Sequence, residues 1–117
     1  MSQTSNHTHL CRQTEILRAL HHGGTPLLLL NAWDAASAVV VESLGFPAIA
    51  TTSGGIANAL GYADGEHVSR EEMLAAVARL TRAVRVPVSA DLEAGYGADE
   101  DAVSQTVRAA VDVGVAG

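Results

Sequence analysis

The stretch Pro26–Thr52, PLLLLNAWDAASAVVVESLGFPAIATT, decides the fold class. It reads as one strand, one helix and the start of a second strand. Leu27 to Leu30 is a short continuous apolar run behind Pro26, the pattern of a strand buried on both faces. Asp34 to Leu44 reads as a helix capped by Asp34 and ended by Gly45, with Pro47 beyond it. Val39-Val40-Val41 has poor helix propensity, so packing must hold this helix. Ala48 to Thr52 is the next strand.

Working outward, the same unit recurs. Ser69 with Glu72 forms a capping box, and Met73, Leu74, Val77, Leu80 and Val84 follow at helical spacing. Pro87 opens a third strand, Val88 to Ala90, and Asp99 to Val113 is a further helix. Its apolar stripe is Val103, Val107, Ala110 and Val111, and Val115 to Gly117 begins a fourth strand. Upstream, Cys11 to His22 is helical, with His21, His22 and the glycines after them as its end. Residues 1–10 are expected to be a disordered tail, and residues 11–117 the folded domain. His7 and His9 are read as part of that solvated tail rather than as a metal clip.

Strands alternating with amphipathic helices imply parallel βαβ units with right-handed crossovers. An open doubly wound sheet and a (β/α)8 barrel both satisfy that pattern. One connection breaks the rhythm. Ser53 to Val68 is long for a βα loop and carries four glycines, so it is expected to be an ordered active-site loop.

Composition excludes several functions. A net charge of −6 leaves no basic footprint for nucleic acid or an anionic membrane. The seven basic residues are all Arg, which removes Schiff-base chemistry and a Walker-type phosphate loop from these residues. Cys11 is the single cysteine, which suits a reducing, cytoplasmic setting, and no apolar run is long enough to span a membrane.

In parallel α/β folds, ligands bind at the carboxyl ends of the strands. Those ends carry Asn31, Trp33 and Asp34, then Thr51, Thr52, Ser53, Gly54 and Gly55, then Ser89, Asp91 and Glu93. Asp91 and Glu93 point to one side if the strand continues, and paired carboxylates without a cationic partner call for a hard divalent ion, Mg2+ or Mn2+. A solvated acidic loop is the plainer alternative. Ser53-Gly54-Gly55 offers a hydroxyl and unhindered N–H groups to a carboxylate or oxyanion, or is an ordinary glycine-rich turn. Asp64 is a ligand or simply part of an Asp-Gly turn, Asp34 is read as a cap, and His67 and Arg70 stay unassigned.

Four segments together resemble the isocitrate lyase/phosphoenolpyruvate mutase superfamily: Leu30–Ala38, Gly45–Gly54, Leu60–Gly65 and Pro87–Gly97. The resemblance implies the N-terminal part of a (β/α)8 TIM barrel, a helix followed by about three βα units, with the barrel incomplete at Gly117. It implies a Mg2+-dependent lyase or mutase cleaving a C–C or P–C bond of a small 2-oxo or 2-hydroxy acid through a pyruvate-like enolate. Asp91, Glu93 and Asp64 match family metal-site acids. Ser53, Gly54, Gly55 and Asp91 match the substrate-binding positions, with Ser53 and Asp64 in catalytic roles. The family assembles as homo-oligomers. Two departures stand out: Thr51 replaces an aromatic of several members, and Glu93 replaces a common Asp. The alternatives are an inactive fragment and a non-catalytic module that binds a small acid.

Overall fold

A computed structural model describes residues 3–117. Its elements in chain order are α1 (Gln3–His21), β1 (Leu30–Ala32), α2 (Ala35–Ser43), β2 (Ile49–Thr51), α3 (Ser53–Ala59), α4 (Arg70–Ala83), β3 (Val88–Ser89) and α5 (Glu100–Asp112). The strands form one parallel sheet in the order β1-β2-β3. Leu30 pairs with Ile49, which in turn pairs with Val88.

The segment after α5 extends the sheet, because the Ala116 amide donates to Val88 O at 2.8 Å and the Ala90 amide to Gly117 O at 2.9 Å. The fourth segment therefore lies beside β3. Doubly wound sheets reverse direction by placing a later strand back beside the first. No such reversal occurs among the described residues.

The core follows the sequence pattern on one side of the sheet. Met73, Val77 and Leu80 of α4 are fully buried, as helical spacing requires. Ile56 and Ala57 of α3 join Met73 and Val77 in one cluster, while Ala38, Val41, Ile49 and Val88 join Leu80 in a second. α1 lies across the start of the sheet, with Leu17 against Ala48 and Ala116. The other row of the sheet, Asn31, Ala50 and Ser89 in register, is only partly covered. Burial on both faces, expected from the apolar run, is thus met on one face.

Several expectations shift. β1 is Leu30–Ala32, because Leu27 and Leu29 pack beneath it against the Leu17 cluster before pairing begins. The expected disordered tail is helical from Gln3 onward, and Met1 and Ser2 lie outside the described residues. Leu10 packs on the Leu17 cluster, and His7–Cys11 and His9–Gln13 meet one turn apart, so the amphipathic segment extends its helix backward. The expected loop from Ser53 begins with α3, a helix that its two glycines disfavour. Thr52 caps it through the Gly55 amide, and buried Ile56 and Ala57 hold it down. On α5 the buried residues are Thr106 and Ala110, whereas Val103, Val107 and Val111 face outward.

Candidate active site

Parallel strands bring their carboxyl ends to one edge, and four of the expected site residues, Ser53, Gly54, Asp64 and Asp91, lie there with Thr51. Thr51, the last residue of β2, is buried, and its Oγ1 accepts the Asp91 amide at 3.0 Å. Ser53 opens α3 and gives both its donors to Asp91. Its hydroxyl lies 2.8 Å from Asp91 Oδ2 and its amide 3.2 Å from the same oxygen. Asp64 folds back over α3, so that a Cβ added at Gly54 would lie 3.0 Å from Asp64 Oδ2. A side chain at this position would make that carboxylate give way by a few tenths of an ångström. Asp64 Oδ1 also accepts the Gly65 amide at 2.9 Å, so the Asp-Gly turn exists as well.

The glycine-rich turn is only partly free for a ligand. Gly55 gives its amide to Thr52 Oγ1, and Ser53 is occupied by Asp91. Among the described residues, the Gly54 amide between them has no acceptor. A Cβ at Gly55 would press on Thr52 Cγ2 at 2.6 Å, so this position is closed to larger residues.

Glu93 departs from expectation. The strand ends at Ser89, and Glu93 takes a left-handed φ of 58° while its amide donates to Asp91 Oδ1 at 3.1 Å. The chain turns rather than continuing extended, so spacing by two does not put both carboxylates on one strand face. Asp91 is the hub of this turn. Partial burial works to raise its carboxyl, yet bonds from the Ser53 hydroxyl, the Glu93 amide and the Ser53 amide outweigh that and hold it below the usual carboxylate range.

Strain gathers here. The non-glycine residues with left-handed φ among the described residues are Glu66, Glu93 and Tyr96, all at this end of the sheet. Each such residue costs about 1–2 kcal/mol and persists only where surrounding structure enforces it. Tyr96 packs against the core, its buried hydroxyl has no partner, and its phenol is pushed up to about 12, first by burial and then by Glu93, Glu66 and Asp91. Three carboxylates thus act on one ring. The ion pair found among the described residues, Arg70–Glu71, lies on the exposed start of α4.

No three His, Cys, Asp or Glu side chains converge to hold a metal among the described residues. The structure joins Ser53 to Asp91 and Gly54 to Asp64, but it does not bring Asp91, Glu93 and Asp64 to a single point. Asn31 and Trp33 are exposed nearby, and Asp34 caps α2 as expected. A groove of about 840 Å3 runs between α1 and α5 from His7 and Cys11 to Glu93 and Gly95; Ser53, Gly54 and Asp64 lie outside it. Sequence reasoning missed Thr51 as a support for Asp91 and gave Glu66 no role. A polar residue at the buried end of β2 was the available signal for the first.

Comparison with known proteins gives the geometry a context. Residues 17–117 match the family model described as phosphoenolpyruvate phosphomutase. A solved structure of a proposed phosphonomutase from Burkholderia cenocepacia superposes with a TM-score of 0.85 at 42% identity, covering 88% of this chain and 42% of that one. A 2,3-dimethylmalate lyase, titled a PEP mutase/isocitrate lyase superfamily member, gives 0.78 at 30% identity over 89% of this chain and 38% of its own. An uncharacterised protein of Mycobacterium tuberculosis is 38% identical over 96 residues, 82% of this chain and 37% of that protein. The chain therefore spans well under half the length of these relatives. It folds as α/β with a small parallel sheet matching their N-terminal part, and it belongs to the phosphoenolpyruvate mutase/isocitrate lyase superfamily.

Proposed function

We propose that these residues form the first half of the active site of a Mg2+-dependent lyase or mutase, built on the opening part of a (β/α)8 barrel. The substrate class is a small 2-oxo or 2-hydroxy carboxylic acid, cleaved at a C–C or P–C bond next to a pyruvate-like unit. One observation carries the reading: Ser53 and Asp91, 38 residues apart, are bonded at the carboxyl ends of adjacent strands, with Asp64 folded over Gly54 beside them. The monotonic strand order with the fourth segment beside β3 supports the barrel.

The donor set fits a hard cation in a restricted form. Mg2+ is commonly held by one or two carboxylates with water and substrate completing its shell, so a closed cage is not required. Asp91, with Glu93 or Asp64 through water, would hold it, and the three carboxylates that bear on Tyr96 are the physical reason a cation is favoured there. When bound, the ion supplies positive charge toward a developing enolate oxygen. The chain's own residues do the rest. Thr51 and Ser53 orient Asp91, and Ser53 can exchange its hydroxyl from Asp91 to a substrate carboxylate. Gly54 offers its unpaired amide to an oxyanion, and Asp64 limits access over α3. A cytoplasmic, homo-oligomeric enzyme suits the lone cysteine and the family.

A second reading, a module that binds a small acid without turnover, is favoured by the lack of three converging metal-binding side chains among the described residues. Titration calorimetry with oxalate and Mg2+, an enolate-like dianion with its counter-ion, tests the site. Heat that depends on both components and is absent in Asp91→Ala is the expected result. No heat in the unaltered chain would sink the site. Pyruvate or glyoxylate release by the complete barrel, lost with Asp91→Ala, separates enzyme from binder.

A further inference from the structure

Asp64 and the Asp91–Glu93 turn leave different strands, and Asp64 lies in an exposed loop. Among the described residues, a single hydrogen bond ties residues 61–68 to residues 91–98: the Tyr96 amide donates to Glu66 Oε1 at 2.7 Å, across 30 residues of sequence. Both partners sit in left-handed backbone, Glu66 at φ 63° and Tyr96 at φ 57°. Both are braced by the same core. The Tyr96 ring packs on the cluster that contains Met73 and Val77, and Val68, two residues beyond Glu66, belongs to that cluster. The Tyr96 hydroxyl has no partner among the described residues, so packing and the amide bond to Glu66 are what hold this residue.

We infer that Glu66 is a positioning residue of the candidate site, whose carboxylate oxygen, as acceptor for Tyr96, sets the spacing between Asp64 and the Asp91–Glu93 turn without touching substrate. The inference rests on the function proposed above for its purpose, but the clasp can be tested apart from it. A role for Glu66 as a further metal-binding carboxylate makes a different demand, since it needs the charge. Gln keeps the acceptor oxygen and loses the charge, while Ala loses both. Glu, Gln and Ala share the same difficulty at this φ, so the strain cancels between variants.

The first measurement is amide hydrogen exchange on the 117-residue chain. In Glu66→Ala the Tyr96 amide is expected to exchange up to about tenfold faster, with faster exchange spreading to Asp64 and Gly65, while Glu66→Gln stays within about twofold of the unaltered chain. Equal exchange at Tyr96 in the Ala variant and the unaltered chain overturns the clasp. The second measurement is the oxalate and Mg2+ titration. Glu66→Ala is expected to weaken uptake by roughly three- to tenfold and Glu66→Gln by less than about twofold. If Gln weakens uptake as much as Ala, charge is what matters and the positioning role is overturned. Absence of uptake in the unaltered chain would defeat the proposed function alone, because the exchange comparison still decides the clasp.

Discussion

Asp34 and Asp91 each follow a strand of the same parallel sheet, yet their carboxylates serve different ends. The Asp34 carboxylate accepts the Ser37 amide at 2.7 Å, three residues on, and the Asp34 amide in turn donates to Ser37 Oγ at 3.1 Å. The whole arrangement is local, exposed and regular, and it starts a helix. Asp91 is held instead by Thr51 and Ser53, 40 and 38 residues away, and is followed by Glu93 and Tyr96 in left-handed backbone. Nothing about starting α5 requires that geometry, because Asp99 caps α5 by itself. Strain held in place by long-range support, where a neighbouring turn needs neither, is the pattern that gathers at functional sites and motivates the proposed role of this turn.

The sharpest way to break the contrast is to remove each carboxylate in turn. Asp91→Ala is expected to weaken Mg2+-dependent oxalate uptake by at least about a hundredfold, the scale on which ligands and their supports act on metal sites. Asp34→Ala is expected to leave uptake unchanged. Titration calorimetry on the two variants decides it. Equal losses would mean that both turns merely stabilise the fold.

Thr51→Val tests the buried support. The isosteric change keeps shape and leaves the Asp91 amide without its acceptor, so the expected loss is about 1–3 kcal/mol, read from the urea midpoint. Glu93→Gly tests the strain. Glycine accepts φ 58° freely, so stability is expected to hold or to rise by up to about 1 kcal/mol while oxalate uptake weakens. A clear loss of stability would show that Glu93 is there for folding after all.

The same division explains what could be read from the sequence. Features carried within one turn of chain were legible: the Asp34 cap, the pairing of Ser69 with Glu72, the buried stripe of α4 and the end of α1 at His21. The grouping of Ser53 with Asp91 was also within reach, because strand ends converge in any parallel sheet, whereas Asp64, in the loop after α3, was tied to the site by the family resemblance alone. Bonds such as Thr51 to Asp91 and Glu66 to Tyr96 leave no periodic trace, since each joins single residues 30 or more positions apart. α3 was hidden for a related reason. Its glycines argue against a helix, and the Thr52 cap with the burial of Ile56 and Ala57 overrides them. On α5 the apolar spacing was legible, since Val103, Val107, Ala110 and Val111 line one groove, but burial was not: Ala110 is buried together with Thr106, whose hydroxyl bonds to Gly95 O at 2.7 Å, and the three valines stay exposed.

The smallest expected effect lies at the local turn and is a matter of pH. The Ser37 amide, and after it the Ser37 hydroxyl, hold the Asp34 carboxyl below its ordinary value of 3.8. A carboxyl depressed in the folded state adds stability that is complete above its unfolded value and disappears as pH falls through the folded one. Stability should therefore show a small decline below about pH 3.8, and Asp34→Ala should remove that part of the decline. Because the group is exposed and screened, the cap is worth only about 0.5 kcal/mol, the low end for such caps. Thermal melts at stepped pH, in low and high salt, measure it. A decline of the same size in Asp34→Ala would assign the acid sensitivity elsewhere, with the long-range bonds of Asp91 as the first group to examine.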